Sequence, residues 1–184
     1  FMPSVHECVA NRDFDKSIFD ECYDHSGKVF ITWINRVTPE LAFVKNYDYR
    51  AHSERIFKEE AERQKGFFLE LYEIHGDERT IVGYMVVSTR DKTMYCNTGL
   101  TGKRINGSRT VMNVGPWIAM FEAAKGLGCD EFVYLVDMDG RQRKALYMMG
   151  SRLDYPVTYT DVQYDKFSKV TPEGNPMKEM RIRV

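Results

Sequence analysis

The sequence has no apolar run near the roughly 20 residues that a membrane-spanning helix needs, so a membrane protein built on helices is excluded. It shows no internal repeat, no low-complexity tract and no Gly/Ser/Pro linker, which argues against a solenoid and against separate modules. Residues 1–184 are therefore expected to form one domain, a normal size for a single core. Charge of one sign is not in excess. Lys and Arg number 26 against 27 Asp and Glu, a formal net charge of −1, which argues against a surface built to bind nucleic acid. The first residues, Phe1 to Glu7, lack a basic start followed by an apolar stretch, so no signal peptide is expected. Cysteine is scarce and unpaired: Cys8, Cys22, Cys96 and Cys129 form no C-x-x-C motif, and their spacing suggests neither a zinc site nor a disulfide framework. Four reduced, largely buried thiols in a cytoplasmic protein are the expectation. His6 and His25 have no partner spacing that suggests a metal, and none is expected.

What is present is enough apolar and aromatic material, 43% and 13% of residues, for a packed interior. Val5 to Val9 suits a first strand. Phe14, Ile18, Phe19 and Cys22 recur at helical spacing within Asp13–Tyr23. The apolar run Lys28–Ile34 does not declare its type, and residues 28–46 have no assigned role. Tyr49–Gln64 reads as a surface helix with a narrow stripe at Ile56, Phe57 and Ala61, stopping at Gly66. Phe67–Ile74 and Thr80–Ser88 then form a hairpin around the polar turn at residues 75–78, with Phe67, Leu69 and Leu71 on one face and Phe68, Glu70 and Tyr72 on the other. A third strand, Thr93–Leu100, follows the turn at residues 90–92. Val111, Val114, Ile118 and Phe121 mark a helix ending at Leu127-Gly128; Gly115-Pro116 either kinks it or marks its start, and a kink is the favoured reading. Glu131–Asp137 is apolar through its middle, as a strand covered on both faces would be. A short helix over Arg141–Met149 and strands over Val157–Tyr164 and Glu179–Val184 close the chain.

Two segments carry a family resemblance. Leu127 to Tyr147 offers a helix ending in glycine, a buried strand, a turn and the triplet Ala145-Leu146-Tyr147. Arg104-Ile105-Asn106-Gly107-Ser108-Arg109 is a basic, glycine-bearing loop ahead of a helix. Successive backbone N–H groups at such a place suit an anion, glycine allows close approach, and Lys103, Arg104 and Arg109 would add charge-assisted contacts. Together with the element order, these segments resemble the acyl-CoA N-acyltransferase (GNAT) superfamily over residues 66–164. Departures are Gly140 where the family often has asparagine, Arg109 in place of a small residue, and an early Gly150.

The resemblance implies an α/β (α+β) fold, a mixed and mostly antiparallel central sheet flanked by helices in three layers, α/β/α. It implies acyl transfer, most simply of acetyl, from acetyl-CoA or another acyl-CoA co-substrate to an amine on a small molecule or peptide. The cofactor would meet Asn97, Thr98, Gly99 and Leu100 on the third strand, then Lys103, Arg104, Asn106, Gly107, Ser108 and Arg109 in the loop, and Gly140 in the turn. Tyr147 is implied as the acid that protonates the departing thiolate. A base would be a carboxylate; Glu70 is the candidate, with Glu73 beside it, although a strand glutamate is more often exposed than catalytic. The rival function is a GNAT fold without catalysis, serving binding or structure, as in virion-associated chains; a third is transfer from another donor or to nucleic-acid bases. The C-terminal strand and the preceding segment Asp161–Lys169 are candidates for a sheet edge that pairs in a homodimer.

Overall fold

The computed structural model describes residues 5–102, 114–138, 147, 151 and 154–184. Its elements are β1 (Val5–Asn11), α1 (Lys16–Val37), a 3-10 helix (Pro39–Phe43), α2 (Tyr49–Gln64), β2 (Phe67–His75), β3 (Glu78–Arg90), β4 (Thr93–Thr101), α3 (Val114–Gly126), β5 (Glu131–Asp137), β6 (Val157–Asp161) and β7 (Met177–Arg183). The strands form a seven-stranded sheet in the order β1-β2-β3-β4-β5-β7-β6, so the C-terminal strand β7 is paired on both sides, by β5 and β6, and is not the sheet edge expected. Every neighbouring pair is antiparallel except β4 with β5.

The uncertain run Lys28–Ile34 is the second half of α1 rather than a separate element. Asp15 starts this helix, its carboxylate accepting from the Ile18 backbone N–H at 3.1 Å. Phe19, Cys22, Gly27, Phe30 and Ile34 fall on one stripe and are buried, so burial overrides the modest helix propensity of Val29, Ile31 and Thr32. Asp48 caps α2 in the same way, through Ala51. The buried face of α2 is Ser53, Phe57, Ala61 and Gln64; Ile56 is only partly covered. Lys65, not Gly66, adopts the left-handed conformation that ends α2 (φ 52°). Gly66 is needed for another reason: a Cβ there would lie 2.1 Å from the Val87 carbonyl oxygen.

Both faces of the sheet are covered, giving the three layers expected. On one side α1 and α2 pack Phe19, Phe30, Ile34, Phe57 and Ala61 onto Phe68, Tyr84, Val86 and Leu100. The Phe57, Phe68 and Tyr84 rings stack with centroids 5.2–5.7 Å apart. On the other side α3 packs Trp117, Met120, Phe121 and Ala124 against Leu69, Leu71, Phe132, Met180 and Ile182. The alternation along β2 thus divides two cores, Phe67, Leu69 and Leu71 facing α3 and Phe68 facing α1 and α2. Past the reach of α1 and α2, the segment joining β6 to β7 covers Val133 and Leu135 of β5 with Tyr164 and Phe167. Here Tyr164 stacks on Tyr95 at 4.1 Å. All four cysteines are thiols; Cys22, Cys96 and Cys129 are buried and Cys8 partly so.

Pro116 is the third described residue of α3, and the kink expected there turns on the residues that precede Val114. Residues 111–113 of the expected helix lie outside the described residues. At the other end Gly128 (φ 84°) allows the Cys129 N–H to reach back to the Ala124 carbonyl at 2.9 Å. β6 stops at Asp161, short of the expected Tyr164, which instead folds into the small core beneath the β6–β7 segment.

Candidate functional site

Strands β4 and β5 start together and then separate. Thr93–Cys96 pair with Glu131–Tyr134, and the pairing ends there although both strands continue. The cause sits in β4. Val87 pairs with Cys96 and Val86 with Thr98, so Asn97 is an extra residue, a β-bulge. A bulge bends its strand and raises its local twist, and this one lies one residue beyond the last β4–β5 pair. Among the described residues, no strand pairs with the outer edge of β4 after Cys96.

Backbone directions along that edge follow from one bond. The Gly102 N–H donates to the Val82 carbonyl at 2.8 Å, which directs the main chain of residue 102, and by alternation those of Leu100 and Thr98, toward β3. Gly99 and Thr101 therefore present N–H and C=O toward β5. The Thr101 carbonyl already accepts from the Ser26 hydroxyl of α1 at 2.8 Å, which fits this assignment. The Leu100 side chain is buried in the core under α1. Of the four β4 residues expected to meet a cofactor, Gly99 thus turns its main chain away from β3, with no partner strand among the described residues, while Thr98 and Leu100 spend theirs on β3. Lys103, Arg104, Asn106, Gly107, Ser108, Arg109 and Gly140 lie outside the described residues, as does the helix expected over residues 141–149 except for Tyr147.

Helix α1 crosses the open end of this divergence. Ser26, Val29, Trp33 and Arg36 recur every three or four residues on the flank of α1 away from α2. Ser26 holds the end of β4. Arg36 feels the charge of Asp137 at the end of β5 and grips Glu173, in the β6–β7 segment, with Nε and Nη2 at 2.6 and 2.5 Å. Between these anchors along the helix Val29 is 74% and Trp33 39% exposed. Sequence reasoning reads Trp33 as core or pocket wall and misses Ser26, Val29 and Arg36; the signal was their spacing, legible only once residues 16–37 are taken as one helix.

The bidentate bond from Arg36 holds the Glu173 carboxyl at about 2, well below its ordinary 4.5. A lowered carboxyl pKa means that the tie is at full strength above pH 4.5 and is lost as pH falls toward 2. Wild type and Glu173→Gln should therefore differ in thermal midpoint at neutral pH and converge across that window. An unchanged difference at pH 2.5 would show that the tie does not depend on the ionised carboxylate.

Glu70 and Glu73 are both 7% exposed, contrary to the expectation of exposed strand glutamates. They leave opposite faces of the sheet. Glu70 accepts hydrogen bonds from Asn11 Nδ2 and the Tyr72 hydroxyl, under α1 and α2. Burial first, and then that bond to Glu70, raise the Tyr72 pKa above its ordinary 10.0. Across the sheet Glu70 pairs with Tyr84 and Tyr84 with Leu100, so Glu70 stands two strands, or about 10 Å, inside the β4 edge. Glu73 faces α3, beside His6. Tyr147 is half exposed, its ring against Tyr159 of β6 with centroids 6.4 Å apart. His52 accepts or donates at Nδ1 with the Tyr47 hydroxyl at 2.6 Å, away from the divergence. Among the described residues no group of three or more His, Cys, Asp or Glu is placed to hold a metal, and no helix is long and apolar enough to cross a membrane.

No protein-family model matches the chain, and no curated protein sequence does. Solved structures do. The PaiA N-acetyltransferase of Thermoplasma acidophilum, in complex with coenzyme A, superposes with a TM-score of 0.50 at 9% identity, covering 97% of this chain and 99% of that one. An acetyltransferase of Bacillus subtilis in complex with CoA gives 0.49 at 12% identity, over 97% and 99% of the two chains. The ribosomal-protein-S18-alanine N-acetyltransferase of Escherichia coli gives 0.48 at 10%, over 96% and 94%. At such identity the likeness speaks to architecture alone. The strand order, the parallel pair that parts at a bulge, and the superposition on PaiA agree: the chain has the acyl-CoA N-acyltransferase (GNAT) fold.

Proposed function

We propose that the chain, working as one domain over residues 1–184, is an N-acyltransferase that moves an acetyl or other acyl group from acyl-CoA to an amine. The observation that carries this reading is the β4 edge released by the Asn97 bulge, where the Gly99 and Thr101 main chains face the gap left by β5. An extended arm bearing amides can pair with such an edge as a strand would. Acyl-CoA has that arm, so the residues fit it. The Gly99 N–H would polarise the thioester carbonyl, where charge develops during attack. Phosphates belong with Lys103, Arg104, Asn106, Gly107, Ser108 and Arg109, and the arm passes Gly140. A small-molecule or peptide amine enters past Val29 and Trp33, in a protein we place in the cytoplasm.

Glu70 is our base, reached through a chain of waters because it lies two strands from the edge. Tyr147 is our acid for the departing thiolate. One observation favours the rival, a GNAT fold kept for binding or assembly: both Glu70 oxygens already accept hydrogen bonds, from Asn11 and Tyr72.

Melting with acetyl-CoA or desulfo-CoA tests the reading. Ligand at 100 times its Kd stabilises by about 2.7 kcal/mol, a rise of roughly 5–10 °C for a chain of this length. No rise with either at millimolar concentration ends the acyltransferase reading. Arg104→Ala should weaken CoA binding, whereas unchanged affinity moves the phosphate site elsewhere. Tyr147→Phe and Glu70→Gln should lower turnover and spare CoA binding. A protein that binds CoA but turns over no amine supports the rival.

A further inference from the structure

The sheet ends in β1, which among the described residues pairs on one side alone, with β2. Proteins ordinarily guard a free edge with a short strand, a bulge, Lys or Pro. β1 has none of these. Its seven residues pair with β2 in unbroken register, and they include neither Lys nor Pro. The direction of its main chain follows from the hairpin that joins β2 to β3. Gly76 (φ 60°) and Asp77 form a two-residue turn, so His75 and Glu78 exchange main-chain hydrogen bonds. Alternation along β2 then turns Glu73 and Leu71 toward β3, and Ile74, Tyr72, Glu70 and Phe68 toward β1. Their partners Val5, Glu7, Val9 and Asn11 face β2 in return, which leaves the main chains of His6, Cys8 and Ala10 facing outward. Among the described residues, no other main chain bonds to them.

Beside this edge lies a groove of about 490 Å³ between β1 and α3. Ile118, Ala119 and Ala123 give it an apolar wall, and its lining includes two acids, Glu7 and Glu122, with no Lys or Arg. Glu7 pairs with Arg79 at 3.6 Å and Glu122 with Lys125 at 3.1 Å, exposed pairs that hold little. Cys8 lines the groove and packs on the core under α3. In a strand added antiparallel to β1, the residue opposite Cys8 exchanges main-chain bonds with it. Its side chain leaves the same face as Cys8 and so falls over the groove. The residues on either side of it leave the other face, one of them opposite Glu7.

We propose that β1 takes up an extended basic peptide as an added strand, with a large apolar residue opposite Cys8, against Ile118, Ala119 and Ala123, and Lys or Arg opposite Glu7. A second copy of this chain is the poorer occupant. Its own outward residues, His6, Cys8 and Ala10, bring no large apolar side chain to the groove, and its Glu7 and Glu122 repeat the charge already there. Strands β2 and β3 separate this edge from β4, so it is not the acyl-transfer site.

The test is amide NMR of the full chain without CoA, titrated with the end-blocked peptide Lys-Thr-Lys-Leu-Lys-Thr-Lys, whose leucine belongs opposite Cys8. The His6, Cys8 and Ala10 amides should shift saturably. Methylating the leucine nitrogen should weaken binding about fivefold, the worth of one main-chain hydrogen bond, and replacing every Lys by Glu should weaken it further. Cys8→Pro removes an outward N–H and leaves the bonds to β2, a place where an edge strand tolerates proline. It should weaken binding at least as much as the methylation does and leave the chain folded. Ala123→Phe, which fills the groove, should do the same and covers the case in which proline unfolds β1. Absence of saturation, equal binding of the methylated or Glu peptide, or unweakened binding in a folded variant overturns the proposal. So does a wild-type dimer that Cys8→Pro makes monomeric in sedimentation, since a second copy then holds the edge. The CoA melting shift, unaffected by either variant, keeps this outcome separate from that of the acyltransferase reading.

Discussion

Deleting Asn97 is expected to leave the protein folded and remove its ability to bind acyl-CoA. Val87 opposes Cys96 and Val86 opposes Thr98. Without Asn97 these pairs become consecutive rungs of a regular ladder, and no side chain changes face: Cys96 stays with the α3 core and Leu100 with the α1 core. The far-ultraviolet spectrum and melting temperature should therefore hold or improve. What disappears is the bend that parts β4 from β5. With the strands running on together, the Gly99 and Thr101 main chains would face β5. Losing two main-chain hydrogen bonds at about 1 kcal/mol each lowers affinity about 30-fold, and closing the gap excludes the arm altogether. Isothermal titration of the variant with desulfo-CoA reads this directly. Wild-type affinity in a folded deletion variant would place CoA elsewhere on the protein.

Replacing Arg181 by methionine is expected to cost about 3–5 kcal/mol of stability, the usual consequence of leaving a buried charge without its partner. Glu179 is fully buried on β7. One of its oxygens takes the Arg181 Nη2 at 2.6 Å and the other the Tyr164 backbone N–H at 3.0 Å. Arg181 also binds Glu131 of β5 and, through Nε, the Thr160 hydroxyl of β6 at 3.1 Å. One guanidinium thus ties three strands together, and the Glu179 bond to Tyr164 seats the β6–β7 segment over β5. Urea unfolding of Arg181→Met should show the loss, and adding Glu179→Gln should recover much of it, because the stranded charge is then gone. A single variant that unfolds at the wild-type midpoint would show that the Arg181 tie contributes nothing to stability.

Much of this was legible in the chain, and the parts that were not share a cause. β5 could be placed residue for residue because a run such as Phe132–Val136 suits few environments other than the middle of a covered sheet. The first hairpin followed from alternation, and the end of α3 from Gly128. The Lys28–Ile34 run stayed ambiguous because short apolar stretches do not separate helix from strand; only the docking of Phe30 and Ile34 under the sheet, in line with Phe19 and Cys22, makes it α1. The Arg36–Glu173 tie joins residues 137 positions apart, and nothing local to either announces it. Glu70 misled in a different way. A glutamate on an alternating strand is ordinarily a solvent-facing residue, and it is buried here because β1 supplies Asn11 and α2 covers that face.

By itself, then, the sequence determined the kind and order of most elements, since side-chain period, turn residues and caps act within a few residues along the chain. Tertiary structure alone decided where β4 leaves β5, which main-chain groups that frees, and that His6 meets Glu73 beneath α3. Those are relations between distant segments, set by register and by which faces are covered, and an extra residue such as Asn97 becomes a bulge only when its partner strand is there to count against.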